Sequence, residues 1–393
     1  MTKKIRNLFF LLFLLGQVLF AKEEKDSLSE SLSAKKLNVE LYFRGGAISD
    51  YHSQEALSGS HFKIDNARIN VQGDYNESLS YRVRFRLNKA FSPTSQDNAS
   101  DALDYAYITY RFDQEHRWEA TIGKQLSVMG SFEQDINPLY EYIFTDYLNG
   151  VYANIFLAGL QLSYQLTPQH KVGIQLHNTL NESFAKHLEN NLFTTEGFTA
   201  SKASIGGYLY WNSSLWDGKF KIKYSYNLSQ FTKGYYTHSV SLGNKLQIGK
   251  HTAYLDLVYS YMGADFGLTS SKLLSIHKGL SKGAYLMHKN IVYKCAVSRY
   301  DYQITDRWSA TTKIGIETTG SRKELSESLR TNYIYFLAGQ YAPLLSQDLR
   351  FYVAYVGNTL HYDQALRKDN EQLHRIAIVV PMKISEGARS ISK

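Results

Sequence analysis

The chain has 393 residues and carries 44 Lys and Arg against 36 Asp and Glu, a formal net charge of +8. This excess is small for the length, and no basic patch with a nucleic-acid-binding module is visible, which argues against a nucleic-acid binder. The single cysteine, Cys295, excludes an internal disulfide, while 31 Tyr and 20 Phe with only 5 Pro favour long β-strands over helices.

The first 21 residues have the layout of a secretory signal peptide. Three basic residues precede an apolar run from Leu8 to Leu15, and Ala21 offers a small residue for cleavage. The apolar run is shorter than a bilayer-spanning helix requires, so a retained anchor helix is the weaker alternative. We therefore expect residues 1–21 to be a signal peptide. Residues 22–36 are polar without a periodic apolar face, and we expect them to form a periplasmic N-terminal segment.

From residue 37 onward, apolar and polar residues alternate with a period of two, which is typical of strands with one apolar face. At the start of this region, for example, Val39 and Leu41 alternate with Asn38 and Glu40. The alternation and the turn residues predict about sixteen strands, at 37–48, 62–73, 79–90, 102–112, 116–126, 157–166, 169–180, 201–212, 218–229, 237–248, 251–263, 290–302, 306–318, 331–341, 347–358 and 373–383.

The connections between these strands alternate between short and long. The eight long connections are 49–61, 91–101, 127–156, 181–200, 230–236, 264–289, 319–330 and 359–372. This alternation matches the short periplasmic turns and long extracellular loops of an even-stranded outer-membrane barrel, whereas a soluble β-sandwich has no reason to show it.

No run of about 18 apolar residues follows the signal, so the chain can span a membrane only as a closed barrel. The sequence therefore predicts an all-β fold, a transmembrane antiparallel β-barrel over residues 37–384, in the outer membrane of a Gram-negative bacterium. Residues 385–393 are expected to form a periplasmic C-terminal tail, although barrel chains usually end on an aromatic residue and this chain ends in ISEGARSISK.

A barrel of sixteen strands is wide enough to leave an aqueous channel. The third long connection, residues 127–156, is also the longest, and a loop of that length without strands of its own is usually functional. We expect it to fold into the lumen as a constriction loop. Passive diffusion of small hydrophilic solutes is the function that follows.

Several stretches of the chain together carry a family resemblance. They are Phe62–Gly73, Tyr81–Leu87, Asp104–Arg111, and Ile122–Gln125 leading into Ser131–Glu133. In these stretches the chain resembles the phosphate-selective porin O/P family of outer-membrane porins. The resemblance implies a sixteen-stranded homotrimeric pore in outer-membrane lipid, with a third loop that narrows the channel and a preference for anions or phosphate.

Two series of basic residues fall on the predicted lumenal side of the strands. They are Arg68, Arg82, Arg84 and Arg86 in the first series, and Lys219, Lys221 and Lys223 in the second. Rows of guanidinium and ammonium groups lower the electrostatic barrier for anions and offer several weak sites between which anions can hop. The resemblance attributes anion preference to such rows. Any porin wall also carries Arg and Lys where it faces water, so both interpretations stay open.

The predicted constriction loop is acidic. Between Gln125 and Gly150 it contains no Lys or Arg, and its four carboxylates are Glu133, Asp135, Glu141 and Asp146. A basic wall opposite an acidic loop would produce a transverse field that sorts solutes by size and dipole instead of selecting phosphate. In this respect the loop departs from the lysine-bearing pattern that the family name suggests.

Two other functional classes are alternatives to a pore. A barrel enzyme would need a catalytic constellation, and no such motif, no metal-ligand spacing of His or Cys, and no phosphate-binding glycine loop is visible. We therefore expect no enzymatic activity, no metal and no cofactor. A closed barrel acting as a surface adhesin or structural protein stays an alternative, and it differs from a porin in passing no ions.

Overall fold

The computed structural model describes residues 36–53, 55–92, 96–346 and 348–386. The predicted signal peptide, residues 22–35 of the N-terminal segment and residues 387–393 of the predicted tail lie outside the described residues.

Sixteen antiparallel strands form one closed barrel, in which each strand pairs with its neighbours in sequence and the last strand pairs with the first. The strands are β1 Lys36–His52, β2 Glu55–Asp74, β3 Leu79–Arg86, β4 Leu103–Arg111, β5 Trp118–Leu126, β6 Phe156–Thr167, β7 His170–Asn178, β8 Ile205–Leu215, β9 Phe220–Thr232, β10 Tyr235–Ile248, β11 His251–Ala264, β12 Lys289–Gln303, β13 Trp308–Ser321, β14 Arg330–Leu344, β15 Asp348–Tyr362 and β16 Glu371–Glu386. Each predicted strand has its counterpart, so the predicted fold is confirmed.

Two of the eight predicted long loops are wrong. Residues 49–61 belong mostly to β1 and β2, which pair as far as His52 and Glu55. Residues 230–236 reduce to a turn at Lys233 and Gly234, where Gly234 adopts a φ of +80° that favours glycine. The first error has a clear cause: the segment is mostly polar on both faces, so it lacks apolar alternation although its backbone ladder continues.

Two of the predicted long loops contain helices. Helix α1 spans Phe184–Asn190 in the connection between β7 and β8, and helix α2 spans Thr269–His277 between β11 and β12. Neither helix in the described part of the chain has the length and apolar character needed to cross a bilayer. We call the end of the barrel that carries these connections the long-loop end, and the opposite end the short-turn end.

The outer face of the barrel wall is apolar. Ile122, Ile314 and Leu337 point outward with 63%, 65% and 60% of their surface exposed. The closed ladder satisfies the backbone hydrogen bonds, so an exposed apolar face is the arrangement that suits lipid.

The packed core lies inside the barrel. Residues 127–155, here called the inner loop, connect β5 to β6 and bury Met129, Phe132, Tyr147 and Tyr152 against inward-facing side chains such as Tyr293 of β12. Further along the inner loop, Tyr140, Tyr142 and Ile143 pack on Phe336 of β14 and Tyr352 of β15. These contacts place the inner loop within the lumen.

Candidate functional site

The inner loop is anchored to the barrel wall by Asp256 of β11. Its carboxylate accepts hydrogen bonds from the Ser131 hydroxyl at 2.7 Å and from the backbone N–H groups of Phe132 and Glu133 at 3.0 and 2.8 Å. These residues begin a 3-10 helix at Glu133–Asp135, whose free N–H groups need an acceptor. The Ser131–Glu133 stretch is therefore the segment that attaches the inner loop to the wall.

Gly130 brings the backbone of the inner loop directly onto the wall. Its N–H donates to the Ser225 hydroxyl of β9 at 2.8 Å. A Cβ at this position would lie 2.4 Å from the Ser241 carbonyl oxygen and 2.7 Å from the Lys223 carbonyl oxygen. No side chain fits between the inner loop and the strands β9 and β10.

Two of the predicted loop carboxylates face the wall instead of the channel. Glu133 and Glu141 are buried, and the Lys313 ammonium of β13 lies 2.5 Å from a Glu133 oxygen and 3.4 Å from a Glu141 oxygen. The Arg299 guanidinium of β12 contacts Glu141 at 2.9 Å. These ion pairs neutralise both carboxylates, so neither supplies the predicted acidic face of the channel.

The other two predicted carboxylates differ from each other. Asp146 pairs with Arg330 of β14, and its backbone N–H donates to Glu317 at 2.7 Å. Asp135 retains 42% side-chain exposure and contacts the Lys223 ammonium of β9 at 2.5 Å. Of the four, Asp135 is the carboxylate that lines the open space of the lumen.

Four arginines on β2 and β3 form a group that we call the arginine cluster, namely Arg68, Arg82, Arg84 and Arg86. The strand register places Arg68 opposite Arg86, and Asn70 and Gln72 opposite the other two, all on the inner face. The structure therefore places the side chains of this first series on the lumenal side, where the alternation predicted them. Because β2 and β3 form one hairpin, local alternation brings these side chains together.

Asp104 of β4 is the counter-ion of the arginine cluster. Its carboxylate accepts from the Nε atoms of Arg84 and Arg86 at 3.0 and 2.7 Å, and lies 3.9 Å from the Arg68 guanidinium. Arg82 donates through Nε to the Asn70 side-chain oxygen at 2.8 Å. Three of the four guanidinium groups thus share one buried carboxylate and the fourth bonds a neutral amide, which leaves the cluster with a positive excess.

Aromatic rings of β4 and β6 pack against the arginine cluster. The guanidinium carbons of Arg82 and Arg84 lie 4.4 and 4.1 Å from the centre of the Tyr105 ring. Phe156 lies within 5.5 Å of Arg84 and 5.4 Å of Arg86. Such cation–π contacts stabilise the positions of the guanidinium groups on the inner face of the barrel wall.

The arginine cluster and the inner loop enclose a cavity of about 530 Å³, which all four arginines line. A second cavity, of about 290 Å³, adjoins Arg82, Glu119, Asp135 and Lys223. The open part of the lumen is therefore bordered by basic side chains, with carboxylates in the minority.

The prediction for the second basic series holds for two of its three lysines. Lys221 and Lys223 lie on the inner face of β9, but Lys219 precedes the strand in an exposed turn at the short-turn end. Lys245 of β10 lies opposite Lys221 and adds a basic residue to the series on the neighbouring strand. Sequence reasoning missed Lys245, although continuing the polar phase along 237–248 would have found it.

Sequence reasoning also missed Arg44 of β1. Its Nη1 donates to the carbonyl oxygens of Pro138, Leu139 and Glu141 at 2.9, 3.1 and 2.8 Å. This arginine therefore holds the inner loop on the side opposite its Asp256 anchor, and no local sequence signal connects the two segments.

The long-loop end contains a polar cavity of about 470 Å³, lined in part by Glu182, His187 and Phe266. The hydrogen bond from His187 lowers the pKa of the Glu182 carboxyl, with help from Asn190. This cavity lies in the vestibule that a solute entering from the long-loop end would cross first.

Several solved structures share this architecture at low sequence identity. The outer membrane channel DcaP of Acinetobacter baumannii superposes with a TM-score of 0.61 at 10% identity, over 90% of this chain and 99% of that chain. OmpT of Vibrio cholerae gives 0.55 at 11% identity, over 90% and 99%. The anion-selective porin from Comamonas acidovorans gives 0.55 at 10% identity, over 88% and 100%. These likenesses establish the fold.

No curated protein matches the sequence. Residues 43–380, however, match the family described as phosphate-selective porin O and P. The match begins within β1 and ends within β16, so it includes the inner loop and at least part of every strand. The chain therefore belongs to the phosphate-selective porin O and P family and is a passive channel of the Gram-negative outer membrane.

Proposed function

We propose that this porin lets small hydrophilic solutes diffuse passively and prefers anions. The observation that carries the proposal is the arginine cluster, whose four guanidinium groups line the cavity beside the inner loop with one buried counter-ion. Basic side chains that line a pore with low-dielectric walls raise the local concentration of anions and lower their barrier to passage.

The charge balance of the inner loop supports this preference. Glu133, Glu141 and Asp146 are each paired with a basic side chain of β12, β13 or β14. The transverse field expected from four loop carboxylates is therefore reduced to the contribution of Asp135, which itself contacts Lys223. The Arg82 side chain has no carboxylate within ion-pair distance in the described part of the chain.

The structural relatives agree with this proposal. The porin from Comamonas acidovorans is described as anion-selective, and OmpT of Vibrio cholerae is described in a trimer form. We propose that this chain is likewise a homotrimer whose apolar outer face contacts both outer-membrane lipid and the neighbouring copies. In this proposal the protein works without catalytic chemistry and without a cofactor, a metal or a nucleic-acid partner.

Single-channel recording in a planar bilayer under a potassium chloride gradient tests the proposal. The wild-type protein should conduct steadily, with a reversal potential of the sign that chloride permeation gives. Arg82→Gln should shift that potential toward cation permeation while the barrel folds normally, because among the described residues the Arg82 guanidinium contacts only neutral partners, the Asn70 side chain and the Tyr105 ring.

Arg307→Gln is the matched control, because Arg307 is exposed in the turn between β12 and β13 at the short-turn end. It should leave the reversal potential unchanged. Equal potentials for Arg82→Gln and wild type would contradict the role of the arginine cluster. A folded protein that never conducts would instead support a closed adhesive or structural barrel.

A further inference from the structure

The cavity beside the arginine cluster has an apolar side. The inner loop contributes Ile136, Pro138, Phe144 and Leu148 to its lining, next to the four arginines. The interior of an outer-membrane barrel that carries water is ordinarily polar, so apolar side chains along the open space require an explanation.

Leu148 belongs to the packed core, whereas Ile136 and Phe144 lie at the edge of that core and keep part of their surface open to the cavity. Ile136 and Phe144 are half-buried, whereas Phe132 and Tyr147 of the same loop retain only 2% and 1% exposure. Exposed apolar surface costs about 25 cal/mol per Å² relative to burial. A solute that brings its own apolar surface into the cavity recovers this free energy.

The arginines keep donors available for an anionic group. The Nε atoms of Arg82, Arg84 and Arg86 are occupied by Asn70 and Asp104. Their terminal Nη groups make no hydrogen bond to another described residue. The guanidinium fork binds a carboxylate through two such N–H groups when the geometry allows it.

The size of the cavity fits a small organic molecule. Its volume of about 530 Å³ lies within the range of small-molecule sites, which typically enclose about 300–1,000 Å³ and combine apolar walls with a few polar groups. A bare inorganic anion would use the arginine side and leave the apolar side in contact with water.

From this combination we infer that the cavity is a binding site for small aromatic carboxylates. The carboxylate contacts the Nη groups of the arginine cluster, and the ring packs against Ile136 and Phe144 of the inner loop. The inference rests on the proposed anion-preferring channel and names the class of solute that the cavity beside the arginine cluster favours. It predicts discrimination among anions by their apolar part.

Block of the potassium chloride current through the wild-type porin tests this inference. Benzoate should reduce the single-channel current at concentrations about tenfold lower than acetate or inorganic phosphate. Benzamide, which has the same ring without the charge, should not block at those concentrations. Benzoate that blocks no better than acetate would overturn the inference.

Two variants test whether the ring is bound by the inner loop. Ile136→Thr and Ile155→Thr each keep a β-branched side chain that lines the cavity but replace its ethyl group with a hydroxyl group. Either should weaken the block by benzoate about threefold to tenfold and leave the block by acetate unchanged. Val151→Thr is the control, since Val151 lies in the same loop and lines the vestibule cavity instead.

The reversal potential distinguishes a failure of the proposed function from a failure of the inferred aromatic site. A channel without anion preference would contradict the proposed function itself. Anion preference with equal block by benzoate and acetate would contradict only the aromatic site. An equal loss of benzoate block in Val151→Thr and Ile136→Thr would also contradict it, because the effect would then come from the loop as a whole.

Discussion

Asp104 sets the net charge of the arginine cluster. Its carboxylate balances Arg84 and Arg86 directly and lies near Arg68. Hydrogen bonds to charged groups contribute about 1.5–3 kcal/mol each, so the residue stabilises the wall while it reduces the positive potential of the lumen.

Asp104→Asn should therefore raise the anion preference of the channel. The amide oxygen can still accept one hydrogen bond, but a negative charge is lost beside three arginines, so the reversal potential should move further toward that of chloride. Asp306→Asn removes the same charge from an exposed turn and should have no such effect. Identical reversal potentials for the two variants would show that the cluster does not govern selectivity.

Lys313 has the opposite role, since it compensates two buried carboxylates. It is itself fully buried between Glu133 and Glu141, with Arg299 nearby. Removing one partner of a buried ion pair leaves an uncompensated charge, which costs about 3–5 kcal/mol.

Lys313→Met should lower the free energy of unfolding in denaturant by about 3–5 kcal/mol, because two carboxylates are then left buried with fewer cations. Adding Glu133→Gln to this variant should restore part of the loss. Lys272→Met, on the exposed face of α2, should change stability by less than about 0.5 kcal/mol. A Lys313→Met protein as stable as Lys272→Met would show that this network is not what retains the inner loop.

At the scale of elements, the position of the inner loop depends on the direct contact between the Gly130 backbone and the backbones of β9 and β10. The backbone atoms of β9 and β10 lie where a Cβ would be placed. Neither strand can retreat without breaking the ladder between them, so an added methyl group must displace the loop.

Gly130→Ala should consequently give a larger and noisier single-channel current, because the inner loop no longer lies flat on the wall. Limited proteolysis within residues 127–155 should become faster at the same time. Gly339→Ala is the matched control, because nothing lies within 4 Å of a Cβ at that outward-facing position of β14. An unchanged current in Gly130→Ala would mean that the loop does not limit conduction.

The strands themselves were predictable because their signal is local. Arg82, Arg84 and Arg86 occupy alternate positions in one strand, and their partners on β2 follow from the hairpin that joins β2 to β3. The helices α1 and α2 were missed because, at 7 and 9 residues, they are too short to show a clear helical repeat. The extended hairpin of β1 and β2 was missed because its segment is mostly polar on both faces.

At the scale of the whole molecule, selectivity that arises from the field of fixed charges must depend on ionic strength. The Debye length falls from about 10 Å at 0.1 M salt to about 3 Å at 1 M. In the proposed function, the arginine cluster and Lys221, Lys223 and Lys245 act on permeating ions through such a screened field.

The ratio of anion to cation permeability should therefore fall toward unity as the mean potassium chloride concentration rises from 0.1 to 1 M. The flux of a neutral sugar in a vesicle-swelling assay should stay constant over the same range, because screening does not change the pore size. A permeability ratio that is independent of salt would indicate selection by direct binding, without a contribution from the long-range field.

The amino-acid sequence by itself determined the number of strands, the apolar outer face and the arginine cluster. Each of these follows from alternation within a strand and from pairing of strands that are neighbours in sequence. Only the tertiary structure decided which loop carboxylates face the channel. Glu133 meets Lys313, 180 residues away, and Glu141 meets Arg299, 158 residues away. Closure of the barrel brings β12 and β13 beside the inner loop, and no local pattern in the sequence encodes that contact.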